Sequence, residues 1–266
     1  MASKKRKKER LPRVIEFQDE KNDEFSTAVI TPRRIDGRYA YERTDGWRKI
    51  VHLFWYRVVA TPLAFLYLKL KFRHTIIGRD ALKQARGKGI FIFGNHTQII
   101  ADALIPTFVS FPTDAYIIVH PNNVSMPVLG HITPWIGALP LPDDREAARN
   151  FLAIIEKRIA QKKAIFIYPE AHIWPYYTGI RPFPDDSFSY PIKYGAPIFC
   201  FTNTYQKRKH ARAPRLVTYV DGPFYPNDAL PLREKRQDLR DRVHACMTER
   251  SRLSDCVVIE YRRAPM

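Results

Sequence analysis

The chain has 266 residues, 45% of them hydrophobic, which is enough for one α/β domain with a sizeable core and short appendages. Its 44 Lys and Arg against 27 Asp and Glu give a formal charge of +17, which indicates an anionic partner, either nucleic acid or an anionic membrane surface. The three cysteines, Cys200, Cys246 and Cys256, are odd in number and lack C-x-x-C spacing. This argues against a disulfide framework and against a zinc site, and indicates reduced cytosolic thiols.

Residues 1–45 are polar and charged, which predicts a mostly disordered tail. The basic cluster at 4–8 (KKRKK) is compatible with a solvated tail, an anchor to anionic lipid or a nuclear signal. No apolar run follows this cluster, so no secretory signal is predicted.

Residues 46–72 contain the most apolar segment of the chain and predict a membrane-interface motif. Thr61 followed by Pro62 is typical of a helix start, so we expect two short helices with a break at Thr61. A full span is not predicted, because basic side chains interrupt the segment. The interrupting residues are His52, Arg57, Lys69 and Lys71. A buried pair of core helices is the alternative.

After residue 73 apolar strands alternate with helices. The predicted strands are 90–94, 115–119, 137–141, 164–168, 196–201, 215–220 and a last one at 256–261. The predicted helices are 96–109, 143–163 and 231–253. This alternation predicts a single α/β domain with a mostly parallel central sheet flanked by helices.

Ionisable residues follow two of these strands. His96 comes directly after IFIFG, Asp102 lies about two turns further on, and Glu170 follows AIFIY. Because the carboxyl ends of parallel strands share one edge of the sheet, we expect Glu170 and His96 in one pocket. A His beside a carboxylate suits general base catalysis. Since no G-x-S-x-G nucleophile is present, the His would deprotonate an acceptor hydroxyl, which attacks an acyl thioester directly.

Four segments occur in the order of the sequence blocks of one enzyme superfamily: NHTQIIAD, GALPLPDD, YPEAHIW and APIFCF. Over residues 47–225 the chain resembles glycerolipid acyltransferases, in particular the 1-acylglycerol-3-phosphate acyltransferases. The third and fourth blocks align without gaps, with Phe183, Gly195, Pro197 and Ile198 at matching positions.

The resemblance implies that residues 73–266 are an acyltransferase domain with His96 and Asp102 catalytic. It implies acyl-CoA or acyl-carrier protein as donor and a lysophospholipid as acceptor in phospholipid biosynthesis. No cofactor, no metal and no nucleic acid are expected. The expected location is the cytoplasmic face of a membrane, where the protein would be peripheral or monotopic on an anionic surface.

Several positions depart from the family pattern. Glu170 is followed by Ala-His-Ile where the family usually has Gly-Thr-Arg, Asp143 stands where an Arg often contacts the acceptor phosphate, and Pro184 replaces the usual Lys of the fourth block. We therefore assign Arg145 and Arg181, with Glu170, to substrate binding. An acceptor other than lysophosphatidate stays open.

The spacing between His96 and Asp102 is also unusual, because five residues intervene where the family has four. In a regular helix one added residue would rotate Asp102 by about 100°. A wide helical turn or a longer turn at 95–98 would restore the contact. The polar Thr97 and Gln98 favour the longer turn. We predict a carboxylate oxygen within about 3.2 Å of a His96 ring nitrogen, directly or through one water.

Other interpretations remain at this point. His96 could cap a helix, Asp102 could be solvated and Glu170 could be a turn residue. His120, His131 and His172 match no zinc spacing. Trp174, Tyr176 and Tyr177 could line the acceptor pocket or lie at a membrane. The alternative functions are an inactive lipid-binding relative and a nucleic-acid-binding module, although no module signature is present.

Overall fold

A computed structural model describes residues 12–26, 30–209, 211 and 213–265. The strands are β1 (Arg13–Phe17), β2 (Thr75–Ile77), β3 (Ile90–Gly94), β4 (Ala115–Val119), β5 (Ala138–Pro140), β6 (Ala164–Ile167), β7 (Ile198–Gln206), β8 (Arg215–Phe224) and β9 (Ile259–Arg263). The α-helices are α1 (Arg48–Leu53), α2 (Thr61–Phe72), α3 (Ala101–Ser110), α4 (Leu129–Ile132), α5 (Arg145–Ala160), α6 (Ser189–Tyr194) and α7 (Leu232–Ser251).

Seven strands form the central sheet in the order β2-β8-β7-β3-β6-β4-β5. The five strands from β7 to β5 are parallel, β8 is antiparallel to β7, and β2 is parallel to β8. Every residue of β3 and β6 is buried, as expected for parallel strands covered on both faces. The predicted α/β fold with a mostly parallel sheet is confirmed.

Helices cover both faces of the sheet. On one face, Phe151 of α5 and Val243 of α7 pack with Phe91 of β3. On the other face, Leu68 of α2 and Ile105 of α3 pack with the core around β3. α5 begins at Arg145, two residues after its predicted start, because the side chain of Asp144 accepts a hydrogen bond of 2.8 Å from the Ala147 N–H and satisfies one free donor of the first turn.

The described part of the N-terminal segment is ordered, so the prediction of a mostly disordered tail over residues 1–45 is wrong there. β1 pairs with β9 in parallel, outside the main sheet. Further on, Ile35 and Tyr41 are buried in the domain core. The segment has few apolar residues, but these find buried partners distant in sequence, which its composition does not reveal. The basic cluster at 4–8 lies outside the described residues.

The predicted break at Thr61 is also wrong. α1 continues through a π-helical turn, Phe54–Ala60, into α2, which gives one helix of 25 residues. The Thr61 N–H and Oγ1 both donate to the carbonyl oxygen of Tyr56, five residues back. This wide turn lets the helix pass Pro62, whose missing N–H and ring would interrupt a regular α-helix.

One side of this helix is attached to the domain. His52 Nδ1 lies 2.6 Å from the carbonyl oxygen of Trp135, and Arg57 pairs with Asp114. Away from these contacts the helix exposes eight apolar side chains, which are Ile50, Leu53, Phe54, Val58, Leu63, Phe65, Leu66 and Leu70. By length and composition alone the helix could cross a membrane. Attachment without a full span stays a prediction.

Candidate active site

The turn between β3 and α3 brings His96 and Asp102 together. α3 begins only at Ala101, so the extra residue is taken up by a longer turn, as the polar residues there predicted. Asp102 Oδ2 lies 2.9 Å from His96 Nδ1, which confirms the predicted contact. The same oxygen accepts hydrogen bonds from the N–H groups of Thr97, at 2.7 Å, and Gln98, at 2.8 Å. Asp102 therefore holds both the shape of the turn and the orientation of the imidazole.

The second oxygen of Asp102 begins a buried polar chain. Asn203 Nδ2 donates to Asp102 Oδ1 at 3.1 Å, and Thr218 Oγ1 donates to Asn203 Oδ1 at 2.6 Å. His74 Nε2 lies 2.8 Å from Thr218 Oγ1. Because the Thr218 hydroxyl proton goes to Asn203, His74 must donate its Nε2 proton to Thr218. Burial lowers the pKa of His74 from its usual 6.5 to about 4, so its ring is neutral near pH 7.

The sequence-based reasoning missed this chain. Asn203, Thr218 and His74 lie at least 15 residues from one another and from Asp102, so no local spacing connects them. One signal was present: the polar run Thr-Asn-Thr interrupts the otherwise apolar β7 at 202–204. Polar residues in a fully buried strand need partners, so that run indicates a buried hydrogen-bond network.

His96 presents one ring nitrogen to the outside. Its side chain is 18% exposed, and in the described part of the chain nothing hydrogen-bonds to its Nε2. The Tyr168 ring stacks on the imidazole with centroids 4.5 Å apart, and its hydroxyl donates to the Asp102 carbonyl oxygen. Burial raises the pKa of that hydroxyl, which keeps it a donor. With Nδ1 facing Asp102, Nε2 is free to accept a proton.

Glu170 lies just beyond β6, which is next to β3 in the sheet. Its Oε2 accepts a hydrogen bond of 3.2 Å from the His96 N–H, and its Oε1 accepts one of 3.1 Å from the Arg181 N–H. Glu170 and His96 therefore emerge at the same edge of the sheet, as predicted, and are in direct contact. Burial raises the pKa of the Glu170 carboxyl, and the Arg181 charge opposes that rise.

Arg181 is fully buried, and both terminal nitrogens of its guanidinium contact protein oxygens. It lies 3.4 Å from Glu170 Oε2, donates to the Glu170 and His172 carbonyl oxygens, and stacks 4.9 Å above the Trp174 ring. The assignment of Glu170 and Arg181 to substrate binding stays a prediction. In this structure the two side chains contact each other, and Glu170 supports the backbone of the His96 turn.

The loop after Glu170 is covered by the N-terminal segment. Trp174, fully buried, donates its Nε1 proton to the Asp23 carbonyl oxygen at 2.8 Å, and Glu24 lies 3.2 Å from His172 Nδ1. Trp174 is therefore a core residue here. Ala171, where the family usually has Gly, has a φ of 61°, in the left-handed region that costs an alanine about 1–2 kcal/mol. The contacts of the N-terminal segment help to hold this loop.

Arg145, the other predicted phosphate contact, is exposed at the start of α5. α5 follows β5, which lies three strands, or about 14 Å across the sheet, from β3. Asp143, at the position of the family Arg, accepts a hydrogen bond of 2.6 Å from the Ile35 N–H. It therefore fastens the N-terminal segment. The substrate-binding role of Arg145 stays a prediction.

No protein-family model matches the sequence, and no curated protein matches it. Among solved structures the chain is similar to the 1-acyl-sn-glycerophosphate (LPA) acyltransferase PlsC from Thermotoga maritima. The two share 14% sequence identity with a TM-score of 0.49 over 76% of this chain and 78% of that chain.

Proposed function

We propose that this protein is an acyltransferase in which His96 is the general base and Asp102 its orienting partner. The observation that carries the proposal is the asymmetry of the imidazole. Nδ1 lies 2.9 Å from a carboxylate that is 1% exposed, while Nε2 has no partner in the part of the chain that the structure describes. A buried carboxylate fixes the tautomer and stabilises the imidazolium, as general base catalysis requires.

The proposed reaction has no covalent protein intermediate. Nε2 accepts the proton of an acceptor hydroxyl as its oxygen bonds to the thioester carbonyl carbon. The tetrahedral intermediate then expels the thiolate, which takes the proton from Nε2 and leaves as a thiol. Of the described side chains, only Asp102 hydrogen-bonds to the His96 ring, so no serine or cysteine is placed to be activated by it.

For substrates we propose acyl-CoA or acyl-carrier protein as donor and a lysophospholipid such as 1-acylglycerol-3-phosphate as acceptor, in phospholipid biosynthesis. This rests on the four sequence blocks that contain His96, Asp102 and Glu170, and on the charge of +17. Arg145 is the exposed candidate for the acceptor phosphate, since a guanidinium matches phosphate geometry.

We propose that the protein binds the cytoplasmic face of a membrane through the exposed apolar side chains of the helix Arg48–Phe72. Glu at Leu66 and Leu70 would place charges at the lipid boundary, so the Leu66→Glu/Leu70→Glu variant should lose flotation with anionic liposomes. Val257→Glu, at an exposed apolar residue elsewhere, is the matched control and should float. Flotation of both variants in high salt would contradict this attachment.

The decisive experiment incubates purified protein with an acyl-CoA and a lysophospholipid and measures the diacyl product by mass spectrometry. His96→Ala should lower turnover by about 10³-fold or more, since it removes the base. His131→Ala removes an exposed histidine and should leave turnover unchanged. Lysophospholipid binding without turnover in the wild type, across both donors, would favour the lipid-binding relative instead.

A further inference from the structure

A second reactive cluster lies between the sheet and α7, apart from the proposed catalytic residues. Cys200 is in β7, Asp221 in β8 and Cys246 in α7. One ligand atom from each of the three side chains lies within 4.8 Å of the other two, and the two thiols are hydrogen-bonded. The two cysteines are 46 residues apart along the chain, so only the packing of α7 on the sheet brings them together.

The charges around the thiols favour oxidation chemistry over metal binding. Arg250 donates to both carboxylate oxygens of Asp221, with Nε 2.9 Å from Oδ2 and Nη2 2.6 Å from Oδ1. A divalent cation would have to displace this guanidinium or lie beside its positive charge. The same guanidinium stabilises a thiolate.

The two sulfurs differ in the way that a pair of attacking and resolving thiols requires. Cys246 is half-buried, and the hydrogen bond to Cys200 lowers the pKa of its thiol. The Arg250 charge acts in the same direction, whereas burial and the Asp221 carboxylate oppose the shift. Cys200 is fully buried, and the pKa of its thiol is raised by the hydrogen bond to Cys246 and by burial. Cys256, the third cysteine, has its pKa raised by burial. Cys246 is therefore the thiol of the three most readily ionised.

We propose that Cys200 and Cys246 form a reversible disulfide on exposure to a peroxide. The Cys246 thiolate attacks a peroxide oxygen of hydrogen peroxide, which gives a sulfenic acid and a hydroxide that is protonated to water. The Cys200 thiol loses its proton, its sulfur attacks the Cys246 sulfur, and the sulfenic hydroxyl leaves with that proton as a second water. Two thiols and one peroxide thus give one disulfide and two waters.

The bond would join α7 to β7 and close the loop 201–245. Such a constraint reduces the freedom of the unfolded chain. The oxidised protein should therefore unfold at a temperature higher by roughly 5 °C. β7 also carries Asn203, three residues after Cys200, whose side chain holds Asp102. The proposed disulfide would therefore form three residues along β7 from a residue that contacts the proposed active site.

The experiment treats the full-length protein with hydrogen peroxide and counts thiols after denaturation. The wild type should fall from three thiols to one, and a non-reducing peptide map should contain the Cys200–Cys246 link, which dithiothreitol reverses. Cys256→Ser is the matched control and should fall from two thiols to none. Cys246→Ser should form no intramolecular disulfide.

Since Cys200 is in the core, the second variant is Cys200→Ala, which keeps a small apolar side chain there. In this variant no resolving thiol remains, so dimedone should trap Cys246 as a sulfenic acid. A wild type that keeps three thiols, or a link that involves Cys256, would overturn the proposal. So would uptake of one Cd²⁺ with thiolate charge-transfer absorption and protection of both thiols from peroxide, because the cluster would then be a metal site.

Discussion

The turn after β3 and the loop after β6 each hold a buried carboxylate, and they lie on neighbouring strands at one edge of the sheet. Among the described residues, Asp102 contacts two backbone N–H groups, the Asn203 amide and the His96 imidazole, and no Lys or Arg. Glu170 faces a guanidinium that is itself fully buried. The imidazole partner keeps one nitrogen open to the outside, whereas the Arg181 partner is enclosed.

This difference distinguishes a catalytic role from a structural role for a carboxylate at the end of a strand. A carboxylate whose partner reaches the outside can influence a reacting group. A carboxylate whose partner is enclosed stabilises the chain around it. The position of an acid at the edge of the sheet is therefore not enough to assign its role, and the exposure of its partner decides between the two.

The largest expected effect comes from Asp102→Asn. The amide removes the negative charge that stabilises the imidazolium, so kcat should fall by about 10³-fold with little change in KM. The amide nitrogen would face the Asn203 amide, donor against donor, so stability should fall by about 1–2 kcal/mol.

Steady-state kinetics and urea denaturation of Asp102→Asn and Glu170→Gln together test the comparison. Glu170→Gln should show the reverse pattern: the free energy of unfolding should change by more than the activation free energy that corresponds to kcat. Equal losses of kcat in the two variants would mean that the two carboxylates do not divide the roles in this way.

The next largest effect concerns the buried ion pair of Glu170 and Arg181. Arg181→Met should lower the free energy of unfolding by about 3–5 kcal/mol, because it leaves the Glu170 carboxylate buried without its counter-charge. Arg252→Met, which breaks an exposed pair with Glu249, should cost no more than about 1 kcal/mol. Chemical denaturation at pH 7 measures both.

A double variant sharpens the test of that pair. In Glu170→Gln/Arg181→Met neither charge is buried, so it should recover part of the loss seen in the single variants. Strictly additive losses would show that the two side chains do not interact energetically.

The smallest effect is a dependence of stability on pH from the chain behind Asp102. The pKa of His74 is lowered from 6.5 to about 4 in the folded protein, so between these values the unfolded chain binds the proton and the folded chain does not. Stability should therefore fall with acid over this window, with about 2 kcal/mol lost by pH 5 from this group.

Comparison of unfolding free energies at pH 7.5 and pH 5 for the wild type and His74→Gln isolates that contribution. The variant should lose about 2 kcal/mol less than the wild type over the same interval. An identical pH dependence in the two proteins would contradict a neutral, buried His74.

Much of the fold could be predicted because local patterns determine it. The apolar strand IFIFG and the amphipathic segment at 143–163 appear as β3 and α5 close to their expected bounds. The proximity of His96 and Asp102 was also predictable, since a turn of six residues is governed by its own polar groups. The helix Arg48–Phe72 was misjudged because a π-helical turn is decided by how Pro62 can be accommodated, which a capping pattern does not show.

The sequence by itself determined the α/β class, the strand-end positions of His96 and Glu170, and their shared edge, because periodicity and chain order are sufficient for these. Only the tertiary structure decided the environment of each acid. It placed Asn203 against Asp102, enclosed Arg181 with Glu170, and laid residues 20–25 over the loop that follows. These contacts join residues far apart along the chain, and the burial that sets their energies exists only once the domain has packed.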